Sequence, residues 1–452
     1  MGTRRLVRVI AALIILAVVA AGCGARFEDE DNVGSGGLGA GDVSSGDGDE
    51  VSGPGDTTVE GEPGDTGTTL ATGGPAGGVT STTAGGSIDP GSTQGVTDKA
   101  IKIGYLVPIT GAAPVPASFD KGVRAYYDEV NAKGGINGRK IEVVIEDTTS
   151  QASVGKTKAQ KLIEQDKVFT IVVLDRLENQ KAIEDYLEAR KFPNIQIQTP
   201  PDLANSGYKW TFGVTIDHVV QGRLIAQYFV RVLKASKVAV VRENTPILAP
   251  GVGAFKDEIT KLGAEVSFER SIDGNASEYS SEALGLSRSG ATVAWLYMAP
   301  TPAAKIVNQA DSLNYHPVWF ANSISWAFDL IFLVAPKALA GARAFSPWLP
   351  LDDPRSSSYQ QAYRSHNNNE TPDDIGLVGW GVGQIVVEGI RRAGPKLGHN
   401  TFRDAMQKLN FRPDVWAPLA FGPGTRQGAN VVAVLKEGGG KWVLDRDFTD
   451  RF

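Results

Sequence analysis

The sequence predicts an α/β fold with parallel sheets, divided between two domains that follow a long unstructured segment. Three observations lead to this fold class. The composition changes from Gly, Ser, Thr and acidic residues to a mixed one near residue 98, and apolar runs then alternate with amphipathic stretches. The region from 98 to 452 is also too long for one ordinary hydrophobic core.

The first segment has the layout of a secretory signal peptide. Arg4, Arg5 and Arg8 precede an apolar run at 9–21, and small residues follow at its end. The run is shorter than the roughly 20 apolar residues that a membrane-spanning helix needs. We therefore predict that residues 1–22 are a signal peptide.

The single cysteine of the chain, Cys23, stands at the end of the string AAGC. This string resembles the lipobox of bacterial lipoproteins, although the usual branched residue three positions earlier is Ala20. The resemblance implies that Cys23 is acylated and anchors the protein to the outer face of the cell membrane. A plain signal peptide with an incidental cysteine, or an uncleaved anchor, remains an alternative. One cysteine excludes a disulfide within the chain.

Residues 23–97 have the composition of a disordered tether. They consist largely of Gly, Ser, Thr, Pro and acidic residues, with almost no large apolar side chains. Such a segment cannot bury enough apolar surface to offset the entropy lost on ordering. Because it offers nothing to pack, we expect that truncation at residue 95 leaves stability unchanged.

The charge of the chain is unevenly distributed. The formal net charge is −6, but 14 acidic residues and no Lys or Arg lie between positions 27 and 98. The remaining chain after position 98 is close to neutral and has no basic stripe. Nucleic acid is therefore not an expected partner.

The region from 98 onward alternates between predicted strands and predicted helices. The strands are IKIGYLVPIT, KIEVVIE, VFTIVVL, NIQIQT, KVAVVRE, TVAWLYMA and VWFANS. The helices include FDKGVRAYYDEVNAK, VGKTKAQKLIEQ, VVQGRLIAQYFVRVLKA, GAFKDEITKLG and TPAAKIVNQADSL. Strand–helix alternation predicts parallel sheets covered by helices on both faces. Ligands of such sheets bind beyond the carboxyl ends of the strands.

Several strings in this region resemble the type I periplasmic binding proteins, specifically the branched-chain amino-acid (Leu/Ile/Val) binding family of ABC transporters. They are IKIGYLVPITGA, GVRAYYDEVNAKGGINGRKIEVVIEDTTSQ, AQKLIEQDKVFTIV, TIDHVVQGRLIAQYFV and GLVGWGVGQIVVEGIRRAG. The resemblance implies an extracytoplasmic protein that captures a small molecule between two Rossmann-like lobes and delivers it to an ABC transporter permease. No cofactor is implied.

The resemblance also implies that the chain crosses between the lobes three times. We place these hinge crossings near 214–217, 344–348 and 420–428. The first lobe then comprises 98–215 plus 348–422, and the second comprises 216–346 plus 426–452. Closure of the lobes over a ligand is the signal that a transporter reads.

Ligand-binding residues carried over from the family line the cleft between the lobes. They are Thr110, Gly111, Ala112, Ala113, Phe119, Glu178, Asn179, Gln198, Thr199, Leu248, Asn322, Ser323 and Trp326. Two of them also have an ordinary structural interpretation: Glu178 suits a helix N-terminus that points to solvent, and Trp326 suits a hydrophobic core.

The residues that grip an amino acid in the family are replaced in this chain. Glu178 stands where small polar residues hold the ligand carboxylate, and it would repel a carboxylate. Pro250, Ala299 and Pro300 align with the aromatic residues of the second lobe, and Ser323 aligns with the acid that binds the ammonium group. We therefore expect a neutral or cationic ligand and not a branched-chain amino acid.

An enzyme is the rival class of function. The four histidines are scattered without a zinc-binding spacing, and the SxxK strings SFDK and SVGK lack the companion motifs of penicillin-binding sites. We assign no catalytic residue and no metal. The glycines of GLVGWGVG lack GxGxxG spacing and indicate close helix packing. A ligand-gated sensor or scaffold with the same two lobes stays open, and neighbouring permease and ATPase genes would decide between transport and sensing.

Overall fold

The computed structural model describes residues 87–452, apart from 202, 204–206, 323–324 and 423. The predicted signal peptide, Cys23 and most of the predicted tether lie outside the described residues. All described residues belong to one compact unit, Thr80–Phe452.

Six parallel strands form the first sheet, and most of them are buried on both faces, as expected for a parallel sheet covered by helices. These strands are β1 (Ala100–Val107), β2 (Lys140–Asp147), β3 (Thr170–Val173), β4 (Asn194–Gln196), β5 (Thr211–Ile216) and β13 (Gln427–Ala429). Their spatial order is β13-β5-β4-β3-β1-β2, and every pairing in it is parallel.

A second sheet has seven strands in the order β15-β14-β10-β9-β8-β6-β7. They are β6 (Lys237–Glu243), β7 (Glu265–Ile272), β8 (Val293–Tyr297), β9 (Val318–Ala321), β10 (Arg343–Ser346), β14 (Val432–Glu437) and β15 (Trp442–Thr449). The first five of these pair in parallel, whereas β14 joins β10 and β15 in antiparallel fashion. A small antiparallel pair, β11 (Asn410–Phe411) and β12 (Leu419–Ala420), lies outside both sheets.

Helices connect most of the parallel strands, as the alternating pattern predicts. They are α1 (Ser118–Ala132), α2 (Ala152–Glu164), α3 (Leu177–Ala189), α4 (His218–Gln227), α5 (Ala249–Lys261), α6 (Ser280–Arg288), α7 (Pro300–Ser312), α8 (Ile331–Val334), α9 (Ser357–His366), α10 (Asp374–Ala393) and α11 (His399–Met406). A π-helical turn at Tyr228–Val232 extends α4. The predicted fold class is confirmed.

The chain passes between the two sheets after β5, after β10 and after β13. Each sheet with its helices is called a lobe below. Strand β13 pairs with β5 and therefore lies in the first lobe, although the sequence analysis placed 426–452 in the second lobe.

Close packing of α1 against α10 explains the glycines of GLVGWGVG. A Cβ atom on Gly379 would lie 2.3 Å from the carbonyl oxygen of Phe119, and one on Gly122 would lie 1.9 Å from that of Gly376. Both distances are shorter than a non-bonded contact allows, so the two helices require glycine at these positions. The packing interpretation of this string is confirmed.

The last residues of the predicted tether are ordered on the first lobe. The amide of Ile88 donates to the carbonyl of Arg190 at 2.8 Å, and Gln94 Nε2 donates to the carbonyls of Ile163 and Val168. The amide of His399 donates to the carbonyl of Ser92 at 2.9 Å. We call residues 88–97 the N-terminal strap. The sequence predicts that this segment is part of a disordered tether. The structure instead shows it bound to the first lobe by hydrogen bonds, although it has little apolar surface.

Among the described residues, no helix has both the length and the apolar character that crossing a membrane requires.

Candidate functional site

The carboxyl ends of the two sheets meet at an ion pair between the lobes. Arg176 lies in the loop that follows β3, and Glu243 is the last residue of β6. Arg176 Nη2 donates to Glu243 Oε2 at 2.5 Å, and Arg176 Nε donates to Glu178 Oε1 at 2.7 Å. The guanidinium group therefore joins a carboxylate of its own lobe to a carboxylate of the other lobe.

Glu243 is held firmly in the second lobe. Its side chain is 8% exposed, against 26% for Arg176. Its second carboxylate oxygen, Oε1, accepts a hydrogen bond from the amide of Ala299 at 2.8 Å. A Cβ atom on Gly274 would lie 2.9 Å from Glu243 Cδ, so a larger residue at this point of the loop after β7 would displace the Glu243 side chain. A nearly buried carboxylate with charged and backbone donors is well oriented to bind a cation.

Leu177, the first residue of α3, follows Arg176 into the second lobe. It is 4% exposed and packs in a cluster with second-lobe residues such as Leu248 and Val252. Its helix belongs to the first lobe, as α3 contacts α2 and β4. Arg176 and Leu177 are adjacent in the chain, and they connect the lobes through an ion pair and through apolar burial.

Asp175 organises the loops on the first-lobe side. Thr148 Oγ1 donates to its Oδ2, while the amide of Arg176 and Asn179 Nδ2 donate to its Oδ1 at 2.7 and 3.1 Å. Its backbone carbonyl accepts from Gln198 Nε2 at 2.6 Å. Burial raises the pKa of the Asp175 carboxyl, and the hydrogen bonds from Thr148 and Asn179 partly oppose that shift.

The loop after β1 is fixed by Asp147 at the end of β2. Asp147 accepts hydrogen bonds from the amide of Ile109 at 2.8 Å and from Thr110 Oγ1 at 2.6 Å. Burial acts to raise the pKa of Asp147, but these hydrogen bonds and others hold it below its usual value. Gly111 has a φ of +100°, and a Cβ there would lie 2.1 Å from the carbonyl oxygen of Thr149. Only glycine fits at that position.

The first predicted loop is therefore exposed and rigidly tied. Thr110, Gly111 and Ala112 are exposed and Ala113 is half-buried, with its amide donating to Ser150 Oγ at 3.2 Å. Their position after β1 agrees with the expected place of a ligand-contacting loop. Ligand contact by these four residues stays a prediction.

The polar residues predicted after β3 and β4 face one another. Asn179 and Gln198 both donate to Asp175, as described above, and Gln180 donates to the Gln198 carbonyl. Thr199 is fully buried, and its Oγ1 donates to the carbonyl of Thr215 at 2.7 Å. Thr199 thus ties the loop after β4 to β5, the strand that leads into the second lobe. It was predicted to line an open cleft, but its side chain is buried.

Several predicted residues lie in hydrophobic cores. Phe119 is 1% exposed and packs edge-on against Tyr105, and Trp326 is fully buried with its indole N–H donating to the Leu296 carbonyl. Leu248 is buried in the cluster that receives Leu177. The placements of Phe119 and Trp326 differ from the predicted position in the cleft, because both side chains are buried within their own lobes. For Trp326, a place in a hydrophobic core is the alternative that the sequence analysis left open.

The remaining second-lobe residues after β9 are only partly described. Asn322 is 1% exposed and its Oδ1 accepts from the indole N–H of Trp295 at 3.0 Å. Ser323 lies outside the described residues.

Glu178 has a partner that the sequence analysis missed. Its carboxylate pairs with Arg176, two positions earlier, so it does not face the cleft as an isolated negative charge. Arg176 and Glu243 were both missed as site residues. The available signal was their position, since each stands at or just after the carboxyl end of a predicted strand.

A second set of contacts also joins the lobes. The amide of Asp329, in the loop after β9, donates to Asp374 Oδ2 at 2.6 Å at the start of α10. Phe328 stacks on Trp348 with a centroid distance of 5.3 Å. The two lobes therefore contact each other through the ends of several strands and helices.

The second lobe also buries a polar pair at the end of β8. His218, the first residue of α4, hydrogen-bonds through Nδ1 to the hydroxyl of Tyr297. Burial lowers the pKa of His218 to about 4, which leaves the imidazole neutral at physiological pH. Among residues the structure describes, no group of three or more His, Cys, Asp or Glu side chains is placed to hold a metal ion.

Comparisons with known proteins agree with this arrangement. The sequence model of a family described as periplasmic binding protein matches residues 100–441. A relative named Leu/Ile/Val-binding protein homolog 1, from Brucella abortus, is 25% identical over 297 residues, which cover 65% of this chain and 79% of that protein.

Two solved structures illustrate the likeness in fold. A branched-chain amino acid transporter substrate-binding protein from Streptococcus pneumoniae, in complex with isoleucine, has a TM-score of 0.68 at 19% identity and covers 78% of this chain and 100% of its own. A fatty acid ABC transporter substrate-binding protein from Thermomonospora curvata has a TM-score of 0.68 at 23% identity, covering 79% of this chain and 94% of its own.

Proposed function

This chain belongs to the periplasmic binding protein family, and on that basis we propose that it captures a small molecule between its two lobes and delivers it to an ABC importer. The family consists of extracytoplasmic solute-binding proteins of transporters. The observation that carries the proposal is the meeting of strand carboxyl ends from both lobes at Arg176 and Glu243. Hydrogen-bonding loops after β1, β3 and β4 surround that point.

We assign the ligand to neutral or cationic molecules and not to branched-chain amino acids. The carboxylates of Glu178 and Glu243 share the single guanidinium of Arg176, and the carboxyl group of Asp175 accepts from the Arg176 amide. A free amino acid brings a carboxylate whose water is removed on closure, and a nearby excess of acids makes that removal costly. The side chains of Pro250, Ala299 and Pro300 offer it no hydrogen bond.

Calorimetry against leucine, isoleucine and valine tests the ligand class. The loss of about 4 kcal/mol of complementary contacts would weaken a micromolar site to roughly millimolar. A dissociation constant near micromolar for any of the three would overturn the assignment and restore the function named for the relatives.

Mass spectrometry of small molecules that co-purify with the protein tests the capture of a ligand. The expected result is a bound compound that is released on unfolding and that raises the melting temperature of the emptied protein when added back. A protein that carries no small molecule, and whose melting temperature no compound from an extracellular extract raises, would contradict the proposal.

We also assign the anchor to Cys23. Replacement of Cys23 by Ala should release the protein from membranes while leaving residues 98–452 folded. A Cys23→Ala variant that sediments with membranes as completely as the parent would contradict the lipid anchor without affecting the assignment of the cleft.

A further inference from the structure

The contacts across the cleft are made by the protein's own side chains. Arg176 reaches Glu243, and Leu177 enters an apolar cluster of the second lobe. Both residues stand in one short loop between β3 and α3. The loop therefore places a cation and an apolar side chain from the first lobe into the second lobe, much as a bound molecule would bridge the two.

Opening of the lobes would break both contacts at once. Arg176 would lose a charge-assisted hydrogen bond to a carboxylate that is 8% exposed, and such bonds are among the stronger ones in proteins. Leu177, now 4% exposed, would meet water. Neither contact depends on a ligand, so each favours the closed arrangement in the ligand-free protein.

We infer that Arg176 and Leu177 form a latch that holds the two lobes closed in the absence of ligand. This inference goes beyond the proposed function, because it concerns a conformational equilibrium of the protein alone. Its consequence is that a ligand must displace the guanidinium from Glu243 to enter. The apparent affinity for the ligand is then lowered by the small fraction of protein that is open.

The latch can be tested by measuring the distance between the lobes. Lys133, 77% exposed at the end of α1, and Lys261, 69% exposed at the end of α5, lie on different lobes and accept spin labels after replacement by Cys. The full chain carries Cys23→Ala so that only these two thiols remain. Unfolding, dialysis and refolding remove any bound molecule before pulsed electron paramagnetic resonance.

The latch predicts one narrow closed distance for the ligand-free parent. Arg176→Gln should lengthen and broaden the distribution, raising the ratio of open to closed molecules by roughly tenfold or more. Glu243→Gln should have a similar effect, because the amide can still accept from Ala299 but no longer pairs with a cation. The double variant should resemble either single variant, since both remove the same interaction.

Arg392→Gln provides the matched control. It removes an arginine that pairs with Glu388 within α10 and makes no contact with the second lobe in the described contacts, so its distance distribution should equal that of the parent. A ligand-free parent that is already open, or Arg176→Gln and Glu243→Gln variants with the parent distribution, would overturn the latch. No ligand or permease enters this measurement, so its failure leaves the proposed function standing.

Discussion

The backbone amide of Asp329 in the second lobe donates to the buried carboxylate of Asp374 in the first, at 2.6 Å. Asp329 in turn accepts from the amide of Trp442 at 2.7 Å through its own Oδ1. Two carboxyl groups therefore come together where the lobes touch. Asp373 and Asp352 add further negative charge nearby, and Lys441 is the cation that faces the group.

Replacement of Asp374 by Asn should change the pH dependence of stability. Burial, and then the charge of Asp329, hold the pKa of Asp374 well above its usual range. The folded protein keeps a proton that the unfolded chain loses from about pH 4 upward, so the parent loses stability as the pH rises. Asn keeps the acceptor oxygen and does not titrate. We expect Asp374→Asn to gain more than about 1 kcal/mol over the parent between pH 5 and pH 7 in urea unfolding.

Asp404→Asn is the control for this measurement, because Asp404 is an exposed carboxylate on α11 that pairs with Arg403. Its stability curve should run parallel to that of the parent. If the Asp374→Asn and parent curves also run parallel from pH 5 to pH 7, Asp374 is ionised in the folded protein and its pKa is not raised by burial.

Truncation of the N-terminus should distinguish the strap from the tether. A chain that starts at residue 87 keeps Ile88, Ser92 and Gln94, whereas one that starts at residue 96 loses them and their hydrogen bonds to α2, α3 and α11. We expect the longer chain to have the stability of the parent and the shorter one to lose about 2–4 kcal/mol. Thermal and urea unfolding of the two chains provide the measurement. Equal stabilities of the two chains would mean that residues 88–95 do not stabilise the first lobe, as the composition of the segment predicts.

Composition could not reveal the strap, for a physical reason. The strap is held largely by main-chain groups and by the Gln94 amide, which depend on the shape of the first lobe and not on local hydrophobicity. The buried parallel strands β1, β3 and β8, in contrast, were predictable because each is a short, mostly apolar run between loops. The antiparallel pair β14 and β15 was not predicted, although the glycines at 438–440 between them are a turn signal.

The sequence indicates where a ligand is expected but not the contacts found there. A ligand is predicted to bind at the loops after the strands, because ligands of parallel sheets bind beyond the carboxyl ends of the strands. Arg176 and Glu243 lie at such positions, and ligand contact there stays a prediction. The pairing of Arg176 with Glu243 spans 67 positions and two lobes, so no local pattern contains it. Glu178 was interpreted alone, so its ion pair with Arg176 was not predicted.

Replacement of His399 by Leu should stabilise the protein at acidic pH. The imidazole is fully buried beside the rings of Phe169 and Phe192, and burial lowers its pKa to about 4. The unfolded chain binds a proton near pH 6.5, so the stability that the neutral imidazole provides is present above that pH and is lost as the pH falls toward 4. Relative to His399→Leu, the parent should lose about 2 kcal/mol between pH 7.5 and pH 5.

Urea unfolding at the two pH values checks the His399 prediction, and the difference between them removes any packing effect of leucine. His316→Leu serves as control, because His316 is about half exposed on the second lobe. A constant difference between parent and His399→Leu at both pH values would mean that the folded protein takes up a proton at His399 over the same pH range as the unfolded chain.

Two leucines of α3 separate contact between the lobes from stability within one lobe. Leu177 packs with the second lobe, whereas Leu187, on the same helix, is fully buried in the core of the first lobe beside α2. Leu187→Ala should destabilise the protein by about 2–5 kcal/mol, the usual cost of a buried leucine, and leave the distance between spin labels at positions 133 and 261 unchanged. Leu177→Ala should instead lengthen and broaden that distance and have a smaller effect on urea unfolding. The smaller effect is expected because the lobes can move apart, so no cavity stays buried at the site of the removed side chain. If Leu177→Ala costs as much stability as Leu187→Ala while the lobes stay at the parent distance, Leu177 is an ordinary core residue and the lobes are held together by other contacts.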